Sequence, residues 1–274
     1  MEHQRKLLIR PPRGWQVINW RELAEYRDLL YFLTIRGIKA RYAQSVLGVS
    51  WAIIQPLFST VVFTIIFGNL ARVGSDGIPY ALFSFAAMVP WNYFSSTLTE
   101  SSNSLVSNAN MISKVYFPRL ILPVSAAFSK LLDLLIGLVV LCGFMIYYQM
   151  TPSPALLMLP VFILLLLCTS LGLGMILSAM SVQYRDVKHG LQFVVQILMY
   201  AAPVVYPVSI IPEQFRIWYC LNPMTGVIEG FRASICNRPV PWEYVVPGVP
   251  VALVMIFFGA MYFRRMEKKF ADLV

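Results

Sequence analysis

Charged side chains are scarce in this chain. Asp, Glu, Lys and Arg make up 13% of its 274 residues, about half the share of an ordinary soluble domain. Uncharged runs cover 42–71, 77–99, 134–184, 190–212 and 244–263, which excludes a water-soluble globule. The 13 acidic residues are nowhere clustered, as a divalent-metal site in a membrane phosphotransferase or lipid-linked glycosyltransferase would require. No GxxxxGK[ST] stretch occurs, so there is no phosphate-binding loop and no nucleotide hydrolysis by that route. Both histidines, His3 and His189, stand among charged neighbours and read as solvated side chains. The four cysteines do not make a metal site: Cys142 and Cys168 lie in separate apolar runs, where each suits packing. Cys220 and Cys236 share a compartment where a disulfide can form, and only that compartment supports pairing. Residues 1–18 lack the apolar core and small-residue cleavage site of a signal peptide.

What the sequence does have is length of apolar chain. A helix needs about 20 apolar residues to cross a hydrocarbon core of roughly 30 Å. The run at 134–184 is long enough for two crossings, and "QMTPSP" (149–154) breaks it where a turn is needed. The expectation is an all-α polytopic membrane protein with six spans, at about 47–71, 80–102, 122–148, 154–182, 188–207 and 244–263. A six-span path puts 17 of the 22 Lys and Arg on one side: nine in 1–41, then Lys114, Arg119, Arg185, Lys188 and four in 264–269. Arg72, Arg216, Arg232 and Arg238 fall on the other side and Lys130 inside a span. The positive-inside rule then makes both termini cytoplasmic. The net charge of +9 reads as topology and attraction to anionic lipid, with no call for nucleic acid.

The chain divides into a cytoplasmic N-terminus (1–41), a transmembrane domain (42–264) and a cytoplasmic tail (265–274). Asn19 and Glu22 have capping-box spacing. The mixed charged and apolar stretch that follows suits an amphipathic helix lying in the headgroup layer, or else a solvated helix packed on another domain. Two spans carry polar stripes: Trp51, Gln55, Ser59 and Phe63 in the first, and Gln192, Gln196 and Tyr200 in the fifth. Steps of four keep each set on one helix face. Such stripes form either helix-to-helix hydrogen bonds or the wall of a polar pathway. Ser170, Gly174 and Ser178 form a small-residue stripe suited to close helix packing. Lys130 and Asp133, three apart on a helix, are expected to pair at the inner rim.

Between the second and third spans lies "SNANMISKVYFPRLILP" (107–123), too polar for hydrocarbon and too patterned for slack linker. Ser107 can cap a short helix and Pro118 can end it. Met111 with Val115 and Ile112 with Tyr116 form an apolar ridge, leaving Asn110, Lys114 and Phe117 on the other side. Before the last span, Pro212, Pro223 and Gly226 split 209–237 into "EQFRIWYC" and "TGVIEGFRASI", each too short to cross. The expected arrangement is a re-entrant hairpin, with Asn222 capping its second helix and Glu229 pairing with Arg232. The competing arrangement is two helices resting on the outer leaflet, with Trp218 and Tyr219 as interface aromatics. If Glu229 and Arg232 act mainly as a pair, reversing both charges should partly restore what either single change loses.

Four stretches together carry a family resemblance: "RYAQSVLGVSWAIIQP" (41–56), "NANMISKVYFPRLILP" (108–123), "YRDVKHGLQFVVQILMYAAPVVYP" (184–207) and "LNPMTGVIEGFR" (221–232). In order and spacing over about 20–265, the chain resembles ABC-type polysaccharide export permeases of the type-2 exporter class. The resemblance implies a homodimeric permease of the bacterial inner membrane, working with two copies of a separate ATP-binding subunit that holds ATP and Mg. No cofactor is expected in this chain, and no catalytic residue. It implies that the 108–117 segment, with Asn110, Lys114, Tyr116 and Phe117, is a coupling helix seated on that subunit, with Asp186 nearby. It also implies that the first and fifth spans line a channel between protomers for an undecaprenyl-linked polysaccharide. Trp218, Tyr219, Asn222, Glu229 and Arg232 then belong to an external gate. A type-2 permease for a small drug or lipid is the alternative within transport.

Overall fold

The structure is a computed structural model that describes residues 20–43, 48–151, 154–267 and 270. The Asn19 cap, residues 1–18 and most of the tail lie outside the described residues. All regular structure among them is helical. In chain order the helices are α1 (Trp20–Glu25), α2 (Arg27–Tyr42), α3 (Trp51–Phe63), α4 (Tyr80–Ser107), α5 (Ala109–Ile112), α6 (Ile121–Tyr147), α7 (Leu159–Gln183), α8 (Val187–Ala201), α9 (Glu213–Cys220), α10 (Pro223–Ile235), α11 (Trp242–Val245) and α12 (Gly248–Glu267).

Among the described residues, four helical stretches are long and apolar enough to cross a membrane: Gly48–Leu70, Ile121–Tyr147, Pro154–Gln183 and Trp242–Glu267. They coincide with the first, third, fourth and sixth expected spans. The turn expected in "QMTPSP" is present. Gln149 takes a left-handed φ of 54° after α6, and the N–H groups of Gln149 and Met150 return to the carbonyls of Ile146 and Met145. This closes the helix in the manner usually given to glycine.

The other two expected spans differ. Helix α4 has 28 residues, about 42 Å at 1.5 Å per residue, but many are Ser, Thr or Asn. Hydropathy hides it because its neighbours are protein: every residue from Leu82 to Trp91 is buried, and α3, α6, α7, α8 and α10 all pack on it. Several of its hydroxyls bond to the preceding turn, Thr99 to the Ser95 carbonyl at 2.9 Å and Ser104 to that of Ser101 at 2.7 Å, while the buried hydroxyls of Ser84 and Thr97 have no hydrogen-bond partner among the described residues. The fifth expected span, 188–207, is not one helix. Helix α8 stops at Ala201, because Ala202 precedes Pro203 and takes the extended conformation that a following proline imposes. Its 15 residues reach only about 22 Å.

Small residues set how closely the long helices approach. The Ser170–Gly174–Ser178 stripe faces α4: a Cβ on Gly174 would stand 3.0 Å from Ser101, and the Ser178 and Ser104 hydroxyls are 3.1 Å apart. Gly172 and Gly259 bring α7 and α12 backbone to backbone, where a Cβ on Gly259 would lie 2.3 Å from the Gly172 carbonyl oxygen. The charged residues at the α2–α6 seam pair differently from expectation. Lys130, 6% exposed, meets Glu100 of α4 at 3.2 Å, while Asp133 accepts from Arg41 and Tyr42 of α2. The i, i+3 proximity of Lys130 and Asp133 loses to partners brought in by neighbouring helices, and these bonds tie α2 to the bundle.

Gly259→Val should therefore destabilise the protein strongly, by more than the roughly 1–3 kcal/mol of ordinary overpacking, because backbone cannot move aside. Thermal unfolding of the purified protein checks this. Gly143→Ala, at a glycine with open space around it, should leave the midpoint unchanged.

Candidate functional site

At the end of the bundle where α4 hands over to α6, the chain forms an anchored, outward-facing loop. Ser107 is the last residue of α4 rather than a cap, and α5 has only four residues. Beyond Ile112 the helix ends, so the helical spacing that would set Asn110, Lys114 and Phe117 on one side no longer holds. Phe117, expected on the outward face, instead turns in and is 4% exposed. It joins Leu33, Leu105, Ile112, Ile121, Phe263 and Phe270 in a second core. Val115, expected to be part of a covered ridge, is 58% exposed and Tyr116 62%. Asn110 and Lys114 are exposed as well.

This loop is held from two sides. The Tyr116 hydroxyl donates to Glu22 of α1 at 3.5 Å, and the Tyr26 hydroxyl donates to the Tyr116 carbonyl at 3.5 Å. Burial, and then the Glu22 carboxylate, push the Tyr116 hydroxyl up, so it stays a proton donor. On the other side the Arg119 N–H donates to Glu267 Oε1 at 3.2 Å, its guanidinium donates to the Glu267 carbonyl, and it lies 5.9 Å from the Phe270 ring centroid. The loop curls around a cavity of about 240 Å³ lined by Ile112 to Phe117 and Arg119. Sequence reasoning missed Arg119 as an anchor, although a lone cation after the Pro118 break was the available signal. Asp186 is exposed at the start of α8 and makes no side-chain bond to the loop among the described residues.

The two polar stripes lie on open faces. Trp51 and Gln55 are exposed on α3, with Ser59 and Phe63 half-buried. On α8, Gln192, Gln196 and Tyr200 are exposed and Leu191 alone is buried. Each helix also packs on the main core, α3 through Leu57 and through Phe63 of the stripe itself, and α8 through Val195, Leu198 and Met199. Beyond Phe63 the helix widens into a π-helical stretch, Thr64–Leu70, a feature common at functional positions. Gly68 in it stands against the Tyr80 ring, 2.9 Å from where a Cβ would be.

At the far end a single guanidinium organises three segments. Arg232, 2% exposed, donates to Glu229 Oε1 at 2.7 Å, to the Phe83 carbonyl at 3.3 Å and to the Val204 carbonyl at 3.0 Å. It also lies 3.5 Å from the Phe83 ring centroid. Tyr80 donates to the neighbouring Val205 carbonyl at 2.6 Å. The non-helical turn after α8 is thus bonded by side chains of α4 and α10. Asn222 caps α10, accepting from the Met224 N–H at 3.1 Å, with Pro223 at the first helical position. Apart from half-buried Glu229, α10 is buried throughout, whereas α9 exposes Phe215, Ile217 and Trp218, and Leu221 just after it is exposed as well. The Tyr219 hydroxyl is 3.1 Å from that of Tyr206. Cys220 and Cys236 are buried and free.

Long apolar helices around a buried polar one, with a side-chain-clamped turn at one end, define a multi-pass membrane protein. The chain belongs to the ABC-2 type transporter family, whose pattern it matches over residues 28–236. Among curated proteins it is similar to the O-antigen export system permease protein RfbA of Klebsiella pneumoniae, 29% identical over 90% of this chain and 95% of the relative. The protein of the same name from Myxococcus xanthus is 28% identical over 92% and 97%. The polysialic acid transport protein KpsM of Escherichia coli is 24% identical over 86% and 92%. The resemblance expected from the four motifs thus holds at the level of the family and its polysaccharide-export relatives.

Arg232 makes bonds that a charge swap cannot reproduce, so the partial rescue expected for a simple pair is revised. Breaking a buried pair costs about 3–5 kcal/mol. Glu229→Arg combined with Arg232→Glu should be as unstable in thermal unfolding as Arg232→Ala, because a carboxylate cannot donate to the Phe83 and Val204 carbonyls. Glu243→Gln, on the exposed start of α11, should match the parent. Recovery of parental stability by the swap would contradict the three-way role.

Proposed function

We propose that this chain is the transmembrane subunit of an ATP-driven exporter that moves an undecaprenyl-linked polysaccharide across the bacterial inner membrane. The observation that carries this reading is the anchored, exposed Lys114–Tyr116 loop in a chain whose polysaccharide-export relatives align along nearly its whole length. Two copies of a separate subunit bind ATP and Mg and seat against the loop through Asn110, Lys114 and Tyr116, with Asp186 beside them. Phe117 supports the loop from within. Movement of that subunit reaches α1 through Tyr116 and α12 through Arg119.

Two copies of this chain enclose a channel walled by α3 and α8, with Ser59, Phe63, Gln192, Gln196 and Tyr200 facing the polymer. Amides on an open face are unfavourable against lipid, which supports an interface or pathway there. Aromatic rings offer flat faces to sugars while amides bond hydroxyls, a combination that lets a polymer slide. Six crossings include α4, and include α8 continued by the extended turn that Arg232 and Tyr80 hold. Both termini are cytoplasmic, α1 and α2 lie along the inner surface, and α9 with α10 forms an external gate with Trp218 and Tyr219 at the interface.

In a deletion strain, lipid-linked polymer should accumulate in the cytoplasm, and the parent gene should clear it. Lys114→Glu should leave the protein folded and lower export at least about ten-fold, the rate equivalent of ~1.4 kcal/mol. Phe117→Ala should instead lower stability, by about 3–5 kcal/mol. Normal export by Lys114→Glu would contradict the docking role. Cysteines at Gly74 and Ser113 should label from opposite sides of intact cells, and labelling from one side would contradict six crossings.

A further inference from the structure

Helices α3, α4 and α6 leave a cleft between them that the channel does not account for. It has a volume of about 150 Å³ and is lined by Trp51, Gln55, Asn92, Ser95, Ser96 and Asp133, above a floor that includes Val89, Tyr93 and Leu134. That is the volume of an engineered apolar cavity that admits one benzene ring, so the cleft holds one six-membered ring with its substituents projecting from the open side. Its floor is made where Gly137 of α6 meets Val89 of α4, with only 3.0 Å available to a Cβ.

The lining is polar where lipid would be expected. Asn92 lies near the middle of the 28-residue α4, and Gln55 lies one turn into α3. Neither side-chain amide has a hydrogen-bond partner among the described residues. Ser95 and Ser96 donate to the Asn92 and Tyr93 carbonyls of their own helix at 3.2 Å, which leaves their oxygens free to accept. An amide left unbonded against hydrocarbon is strongly unfavourable, so the occupant supplies both donors and acceptors. Asp133 on the wall is already engaged by Arg41 and Tyr42, and Arg41 and Lys130 are shared with Glu100. The local charges therefore balance, and the cleft has no unpaired carboxylate for a cation. Trp51, half-exposed beside the amides, offers an aromatic face that suits the C–H face of a pyranose better than it suits water.

We propose that this cleft is a binding subsite for one neutral sugar ring, the membrane-proximal sugar of the lipid-linked chain, reached sideways from the inner leaflet. Gln55 and Asn92 bond its hydroxyls, Ser95 and Ser96 accept from them, and Trp51 covers one face. The proposal rests on the glycan-export reading. It adds that the first sugar is read within one protomer before the polymer enters the path between two.

The test uses the full chain with its four cysteines replaced by alanine and Ala52→Cys added, at a cleft-lining position with no polar role, in lipid nanodiscs. The rate of modification by a small thiol reagent is measured with three probes: undecaprenyl diphosphate bearing one N-acetylglucosamine, undecaprenyl phosphate without sugar, and phosphatidylglycerol. The sugar-bearing lipid should slow modification at least about five-fold, the effect of one net hydrogen bond, and the other two should not. Gln55→Ala and Asn92→Ala should each abolish that protection. Equal protection by phosphatidylglycerol would make this a general headgroup site and overturn the proposal. No protection by any probe would overturn it too. In that case, continued polymer export by the Ala52→Cys chain in cells would leave the exporter reading standing, whereas normal clearance of polymer in a strain lacking the gene would overturn the exporter reading itself.

Discussion

A polar group at membrane depth has no water to turn to, and most of the bonding that holds this bundle together meets that requirement internally. Helix α4 shows the consequence most fully. It carries the hydroxyls and the Asn side chains that a lipid-facing helix could not, and five other helices surround it. Thr99, Ser102 and Ser104 bond to carbonyls of the previous turn, and Tyr93 reaches across to the Ala127 carbonyl at 3.1 Å. With α4 fixed at the centre, the surrounding helices can present their most apolar sides outward.

The same requirement explains the two ends. At the far end, a broken helix exposes carbonyls in the turn after α8, and these are met by Arg232 and Tyr80. The guanidinium is costly to bury, and Glu229 together with the Phe83 ring offsets that cost. At the other end, the loop after α4 is free to be polar because it leaves the bundle. It is positioned by neighbours that arrive from opposite ends of the sequence, α1 by way of Tyr116 and α12 by way of Arg119. A push on this loop is therefore delivered to α1 and to α12 together.

Much of this was legible in the sequence, and the failures have physical causes. Hydropathy located α3, α6, α7 and α12, because those helices face outward and carry apolar side chains there. The "QMTPSP" break, the Asn222 cap, the small-residue stripe of α7 and the Glu229–Arg232 contact follow from local rules and are present. What local rules could not supply was partner choice over distance. Lys130 and Asp133 each found a partner on another helix, and Arg232 gained two carbonyls as well as a carboxylate. Phe117 turned inward because the short helix ends five residues before it. The cleft that joins Gln55 to Asn92 is invisible in sequence, since its walls come from three helices.

The central claim is that this chain converts work by a docked ATP-binding subunit into passage of a lipid-linked polysaccharide. The most direct measurement reconstitutes the chain with its ATP-binding subunit in vesicles carrying the lipid-linked polymer on the outer surface. The subunit faces outward and ATP and Mg are added outside. Polymer should then become protected from an added glycosidase with the parent chain, and stay accessible with Lys114→Glu or without hydrolysable ATP. Protection that proceeds equally in all three conditions, or in none, would contradict the account.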